Sequence, residues 1–221
     1  MKSAPEEKEM PPRARGPLSE SFRVLILAAA ALAASLGLPL SSPASDGVLV
    51  YRIVPERSTV RFDVDATGHT VHGATQRVGG EVRFDPENLS REARVSFRVQ
   101  AATLDTGNKT RDKKMRTSHL ETEKFPEIEY DSSKVEALAP SLREGESQEL
   151  KLTGQLSLHG VKRSLSFPVR AARHGAELRV SGQTVLKMTD YSIPLPKFLF
   201  FTVKDEVKVS FEVTAVPGTG S

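Results

Sequence analysis

QELKLTGQLSLHGVKRSLSFPV, residues 148–169, is the stretch on which the fold turns. Leu150, Leu152, Leu156 and Leu158 share one parity before His159-Gly160, and Leu165, Phe167 and Val169 share one parity after it. Strict alternation of this kind belongs to strands with one buried and one wet face. Two such runs joined by a dipeptide ending in glycine read as a hairpin with a tight turn. A parallel sheet, covered on both faces, would read as continuous apolar runs, so the sheet is antiparallel.

The same period of two extends in both directions. Val60, Phe62 and Val64 alternate with Arg61 and Asp63; Val82 and Phe84 flank Arg83; Val95, Phe97 and Val99 alternate with Ser96 and Arg98. Near the end, Val207, Val209, Phe211 and Val213 alternate with Lys208, Ser210 and Glu212. There are eight or so such segments, with Gly79-Gly80, Asp85-Pro86-Glu87-Asn88 and His159-Gly160 as the clearest turn signals. Many short strands at this spacing define an all-β barrel or sandwich. Eight strands closed on themselves leave an interior just large enough for one ligand. One segment breaks the pattern: NKTRDKKMRTSHL, residues 108–120, predicts a helix of roughly three turns. Asp105, Thr106 or Asn108 can cap it, Asp112 and Arg116 have the favourable acidic-first spacing, and Phe125-Pro126 bars continuation. It would lie on the barrel as a lid, with Met115 and Leu120 turned inward.

The 221 residues suit one domain plus a leader. The net charge of +3 is a slight basic excess and gives no warrant for nucleic-acid binding. No cysteine is present, so disulfides, thiolate metal sites and cysteine nucleophiles are excluded. VLILAAAALAASLGLPL, residues 24–40, is uncharged, follows Arg13, Arg15 and Arg23, and precedes Ser42-Pro43-Ala44. This is the layout of a signal peptide occupying residues 1–44, with cleavage after Ala44; an uncut membrane anchor is the alternative. Either reading puts residues 45–221 outside the cytoplasm, periplasmic or secreted, or held at the inner membrane if the leader stays.

Catalytic and metal chemistry find little support. His69 and His72, three apart on an extended segment, face opposite sides and could not share an ion. No H-E-x-x-H or G-x-S-x-G motif occurs. No cofactor is expected. A stripe of Val60, Phe62, Val64, Phe84, Phe97, Val99, Leu156, Leu158 and Phe167 points inward; alternation alone predicts a filled core there, because small barrels are packed. Gly154 and Gly182 fall on the inward parity and either make room for a ligand or bend the strand.

Leu104-Asp105-Thr106-Gly107-Asn108, Arg111-Asp112, Met115-Arg116, His119-Leu120 and Phe125-Pro126 resemble the central signature of the YceI-like family. Residues 152–161, LTGQLSLHGV, resemble its second signature, and Asp190-Tyr191 before a final alternating strand its third. The resemblance runs from about Tyr51 to Val216. It implies a lipocalin-like antiparallel barrel around a long apolar ligand, such as a polyisoprenoid, a quinone-like or a fatty-chain molecule. It turns the inward stripe into a tunnel wall, with Arg111, Met115, Leu120 and Phe125 joining from the lid region. The segment Gly73-Ala74-Thr75-Gln76-Arg77 departs from the pattern by lacking the aromatic residue often found after the glycine.

Lys109, Arg111, Lys113, Lys114 and Arg116 make the lid basic, either as a solvated face or as a seat for an anionic headgroup. Asp112 is a candidate anchor between helix and barrel. Four consecutive apolar residues, Phe198-Leu199-Phe200-Phe201, form either a portal that touches membrane or ligand, with Phe198 and Phe200 as contacts, or the start of a strand covered on both sides. The leading function is therefore binding, storage or transport of a long apolar lipid, with transient membrane contact. The alternatives are an enzyme acting on a lipid-like substrate in the same cavity, and a ligand-free interaction module. Oligomeric state is open, a dimer included.

Overall fold

Alternation becomes strand over most of the chain in the computed structural model, which describes residues 47–198 and 201–218. The leader and Phe200 lie outside the described residues. The strands are β1 (Leu49–Ile53), β2 (Thr59–Ala66), β3 (His69–Thr75), β4 (Val78–Phe84), β5 (Arg94–Gln100), β6 (Glu127–Ala137), β7 (Ser147–Leu158), β8 (Val161–His174), β9 (Glu177–Lys187), β10 (Lys197–Phe198) and β11 (Phe201–Pro217). Every pairing among them is antiparallel.

The circuit β1-β4-β5-β6-β7-β8-β9-β11 returns to β1 through Tyr51↔Pro217, Arg52↔Val216 and Ile53↔Ala215, closing an eight-stranded barrel. Closure leaves no free edge within this circuit of eight strands. The hairpin β2–β3 prolongs the wall: β2 pairs with the first part of β11 where β1 pairs with its end. A 3₁₀ turn at Pro55–Arg57 separates β1 from β2, where proline cannot donate to a ladder.

Beyond β4 the outer edge of β3 meets the long β5–β6 connection. Ala74 and Asp105 exchange both backbone hydrogen bonds, at 2.9 and 3.0 Å. The connection thus fills a seam in the upper wall, and the lid helix belongs to it.

The expected hairpin forms around His159-Gly160, with φ of 52° and 76°. Two consecutive positive φ values are the signature of a type I′ turn, whose twist matches the flanking strands. Gly79-Gly80, expected as a turn, instead lies inside β4. Gly80 has φ 137°, and a Cβ there would stand 2.0 Å from the Ser96 carbonyl oxygen. The glycine permits a close approach to β5 rather than a chain reversal.

The lid is also shorter than expected. Helix α1 spans Lys109–Lys114, and Asn108 is the cap that is used, its side chain accepting from the Thr110 and Arg111 amides at 3.1 and 3.0 Å. From Met115 the winding widens, and the Leu120 amide donates to the Met115 carbonyl five residues back at 2.8 Å. The Thr117 hydroxyl donates to the Lys113 carbonyl at 3.0 Å, a side-chain bond of the kind that loosens a helix. Leu120 and Phe125 are reached by irregular chain, not by a third α-helical turn.

Candidate ligand cavity

The barrel interior is not filled. A cavity of about 690 Å³ occupies its upper part, under α1 and the β9–β11 connection. This lies within the size range of small-molecule sites, about 300–1,000 Å³. Phe62 and Val64 of β2, Phe97 and Val99 of β5, Leu156 and Leu158 of β7, and Phe167 of β8 all line it. Met115, Leu120 and Arg111 reach it from the lid. Val203, Val207, Val209 and Phe211 of β11 complete the wall, with Leu186 of β9 and Ile128 and Tyr130 of β6.

Two expected contacts fall elsewhere. Phe84 lies below, stacked on Tyr51 with ring centroids 5.7 Å apart, and lines a separate space of about 110 Å³. Phe125 packs against the β7–β8 turn: its ring meets His159 edge-on at 4.7 Å and covers the bare face of Gly160. It fastens the lid connection to the barrel and does not line the cavity. The Phe198 side chain, like Phe200, lies outside the described residues; of the aromatic run, the backbone shows β10 pairing with β11 through Phe198↔Phe201.

Neither inward glycine opens space to the cavity directly. A Cβ on Gly154 would stand 2.3 Å from the Asp131 carbonyl oxygen, beside the irregular β6–β7 register near Ser132. One on Gly182 would stand 2.7 Å from Phe211 Cζ. Phe62 lies over Gly73 in the same way, with a Cβ there only 2.2 Å from the ring. Cross-strand glycines therefore hold the protein's own rings flat against the wall.

The bottom of the barrel is plugged. Leu89 and Leu142, from the β4–β5 and β6–β7 loops, are 2% and 1% exposed. Their loops are tied by Leu89 N–H to Pro140 O at 2.7 Å and Leu142 N–H to Pro86 O at 2.8 Å. Access is thus from the upper end, where Asn108, Thr110, Lys114 and Lys187 are both exposed and cavity-lining.

The lid's basic residues divide. Lys109 and Lys113 are exposed and do not line the cavity. Arg111 turns inward at the mouth, its Nε donating to Thr106 Oγ1 at 2.7 Å and Nη2 to Thr106 O at 2.9 Å. Asp112 is buried and anchors the lid to its own preceding loop. It accepts from the Thr106 amide at 3.0 Å and the Thr106 hydroxyl at 2.5 Å. Burial pushes its carboxyl up, but these bonds and the nearby Arg116 charge outweigh that and hold it below the usual carboxylate range.

Two histidines fasten the mouth. His119 Nδ1 donates to Pro194 O at 2.8 Å. His159 is buried, with Nδ1 donating to Tyr191 O at 3.1 Å and Nε2 2.8 Å from Glu121 Oε2. His72 pairs with Asp63 across the β2–β3 hairpin at 2.7 Å, on the exposed face. Among the described residues, no group of three or more His, Cys, Asp or Glu is placed to hold a metal ion. Deep in the cavity the one phenol, Tyr130, has its ionisation pushed up to about 12 by burial.

A closed antiparallel barrel with a blind apolar interior and a polar rim defines the class: a lipocalin-like barrel. The YceI-like domain family matches residues 51–215, and the chain belongs to that family. The UPF0312 proteins of Vibrio campbellii and Vibrio parahaemolyticus are each 27% identical over 177 residues, spanning 76% of this chain and 88% of theirs. Among solved structures, BcnA of Burkholderia cenocepacia superposes with a TM-score of 0.65 at 20% identity, covering 74% of this chain and 99% of that one. A polyisoprenoid binding domain from Saccharophagus degradans, implicated in plant cell wall breakdown, gives 0.61 at 17% identity, covering 77% and 99%. At these identities the structural likeness establishes the fold.

Several wall residues escaped the sequence reading. Phe211 belongs to the alternating run from Val207 to Val213; Tyr130 lies on β6, whose apolar positions switch from Ile128 and Tyr130 to Val135 and Ala137 across the irregular register near Ser132, so no single parity runs through that strand. Leu89 stands alone in a polar loop and Leu142 shares its loop with the exposed Leu138, so neither carries a periodic signal.

Proposed function

We propose that this protein holds one long apolar chain inside its barrel, outside the cytoplasm, as a carrier or store rather than as a catalyst. The observation that carries this reading is the blind cavity of about 690 Å³ with hydrocarbon walls and polar groups gathered at its mouth. A chain lying there gains roughly 0.8 kcal/mol for each buried methylene, so tight binding needs few polar contacts. Among the described residues, the charged ones that line the mouth are Arg111, Lys114 and Lys187, with no carboxylate beside them in the lining. That rim suits a neutral or anionic headgroup. The polyisoprenoid-binding relative supports a prenyl or similarly extended ligand. The uncharged run at residues 24–40 supports export, and the run of four consecutive apolar residues at 198–201 in the sequence supports transient contact with a membrane during loading.

Native mass spectrometry of the protein purified from its host, followed by organic extraction, tests the reading. A co-purifying apolar molecule in stoichiometric amount is expected. An empty barrel that also fails to take up prenyl alcohols, quinones or fatty chains from detergent would refute it.

A further inference from the structure

The two interior spaces share four residues: Phe97, Tyr130, Phe167 and Phe211 line both the 690 Å³ cavity and the 110 Å³ space beneath it. Their rings form a continuous layer across the barrel. Phe97 and Phe211 have centroids 6.4 Å apart, Phe211 and Phe167 meet edge-on at 5.9 Å, and Phe167 and Tyr130 lie 5.1 Å apart. Phe97 and Tyr130 are direct cross-strand partners on β5 and β6, which completes the circuit.

We infer that this aromatic layer is the floor of the ligand site and sets the longest chain the barrel accepts. The inference rests on the apolar-carrier reading above. Phe211 is held down on β9 by bare Gly182, its directly opposite partner, and Phe167 and Tyr130 are buried. The space below the floor is closed by Leu89 and Leu142, so a longer chain has no exit through it. Nor is it roomy: an apolar cavity of roughly 150 Å³ takes one benzene-sized molecule, and this one is smaller. A growing chain therefore gains contacts until its tip meets the rings, and beyond that length each further carbon stays at the mouth.

The test is competition binding with saturated fatty alcohols of stepwise increasing length against a polarity-sensitive dye, on the full barrel. In the wild type, affinity should rise by roughly fourfold per added methylene, then level off at one length. Phe167→Leu and Phe211→Leu, made separately, should each move that break to longer chains by a few carbons. Phe62→Leu, on the upper wall only, should change affinity but leave the break in place. Adding Ala171→Leu to Phe167→Leu, which fills the lower space, should return the break to its original length. Thermal melts establish that each variant is folded; because two independent leucine variants probe the floor, loss of one leaves the other decisive. An affinity that climbs without a break, or a break that neither leucine variant moves, overturns the floor while leaving the carrier reading intact. No binding at any length overturns both.

Discussion

Replacing Asp112 by alanine tests how the lid is held. Asp112 is 4% exposed and accepts two hydrogen bonds from Thr106, one from its amide and a shorter one from its hydroxyl. Thr106 in turn positions Arg111 through its hydroxyl and carbonyl. The carboxylate also balances Arg116, whose Nη2 donates to Leu104 O at 3.0 Å while its buried Nε has no hydrogen-bond partner. Hydrogen bonds to a charged group contribute about 1.5–3 kcal/mol each, and donors stranded in the interior add to the loss. Because the two bonds share one oxygen they are not additive, and about 3 kcal/mol is expected for Asp112→Ala. For a domain of this size that corresponds to a fall in Tm of roughly 6–12 °C. Asp112→Asn keeps an acceptor but no charge and should lose about half as much. Urea denaturation measures the total, and amide exchange locates it: protection should drop first across residues 105–120. A loss under about 0.5 kcal/mol, the ordinary surface range, or exchange that rises uniformly over the barrel, would refute the anchoring role.

Three further outcomes follow from the same geometry. Gly160→Ala should cost about 1–2 kcal/mol for its left-handed backbone, plus a clash with the Phe125 ring, whose Cε1 is 2.5 Å from the new Cβ; thermal melts measure the loss. His159→Asn keeps the positive φ tolerable but removes the donor to Tyr191 O and the 2.8 Å contact with Glu121 Oε2, so about 1–2 kcal/mol should be lost and a bound apolar probe should dissociate faster, as followed by stopped-flow release. The hydrogen bonds from Arg57, at 2.6 and 2.9 Å, and from Arg179 draw the Glu177 carboxyl from 4.5 down to about 2. A depressed folded value means that this pair's stabilisation is complete above the ordinary carboxylate range and drains away as pH falls towards 2. In Arg57→Ala an NMR titration of Glu177 should therefore move upward, and the acid limb of the stability profile should flatten.

The strands were legible because burying one face of a sheet imposes a period of two, and residues 148–169 carry that period on both sides of the His159-Gly160 turn. The I′ turn was legible for a similar reason, since His159-Gly160 joins two alternating runs and the glycine supplies a positive φ. Gly79-Gly80 was misread because a glycine pair has the same composition whether it reverses a chain or lets two backbones approach. The lid was overextended because propensity counts residues, while the Thr117 back-bond and the widened turn at Met115 are local geometry.

What the sequence determined by itself is the antiparallel β character, the inward parity of individual strands and the presence of a capped segment between β5 and β6. These follow from nearest neighbours along the chain. Whether the interior is filled or hollow is different in kind. It depends on how far the walls stand apart after β11 closes on β1, and on which rings meet across the gap. Phe97, Tyr130, Phe167 and Phe211 are far apart in sequence and become a floor only when four strands bring them together. The same closure makes the space above them a cavity and leaves the space below nearly full. No periodicity encodes that division, because it is a property of volume and not of pattern.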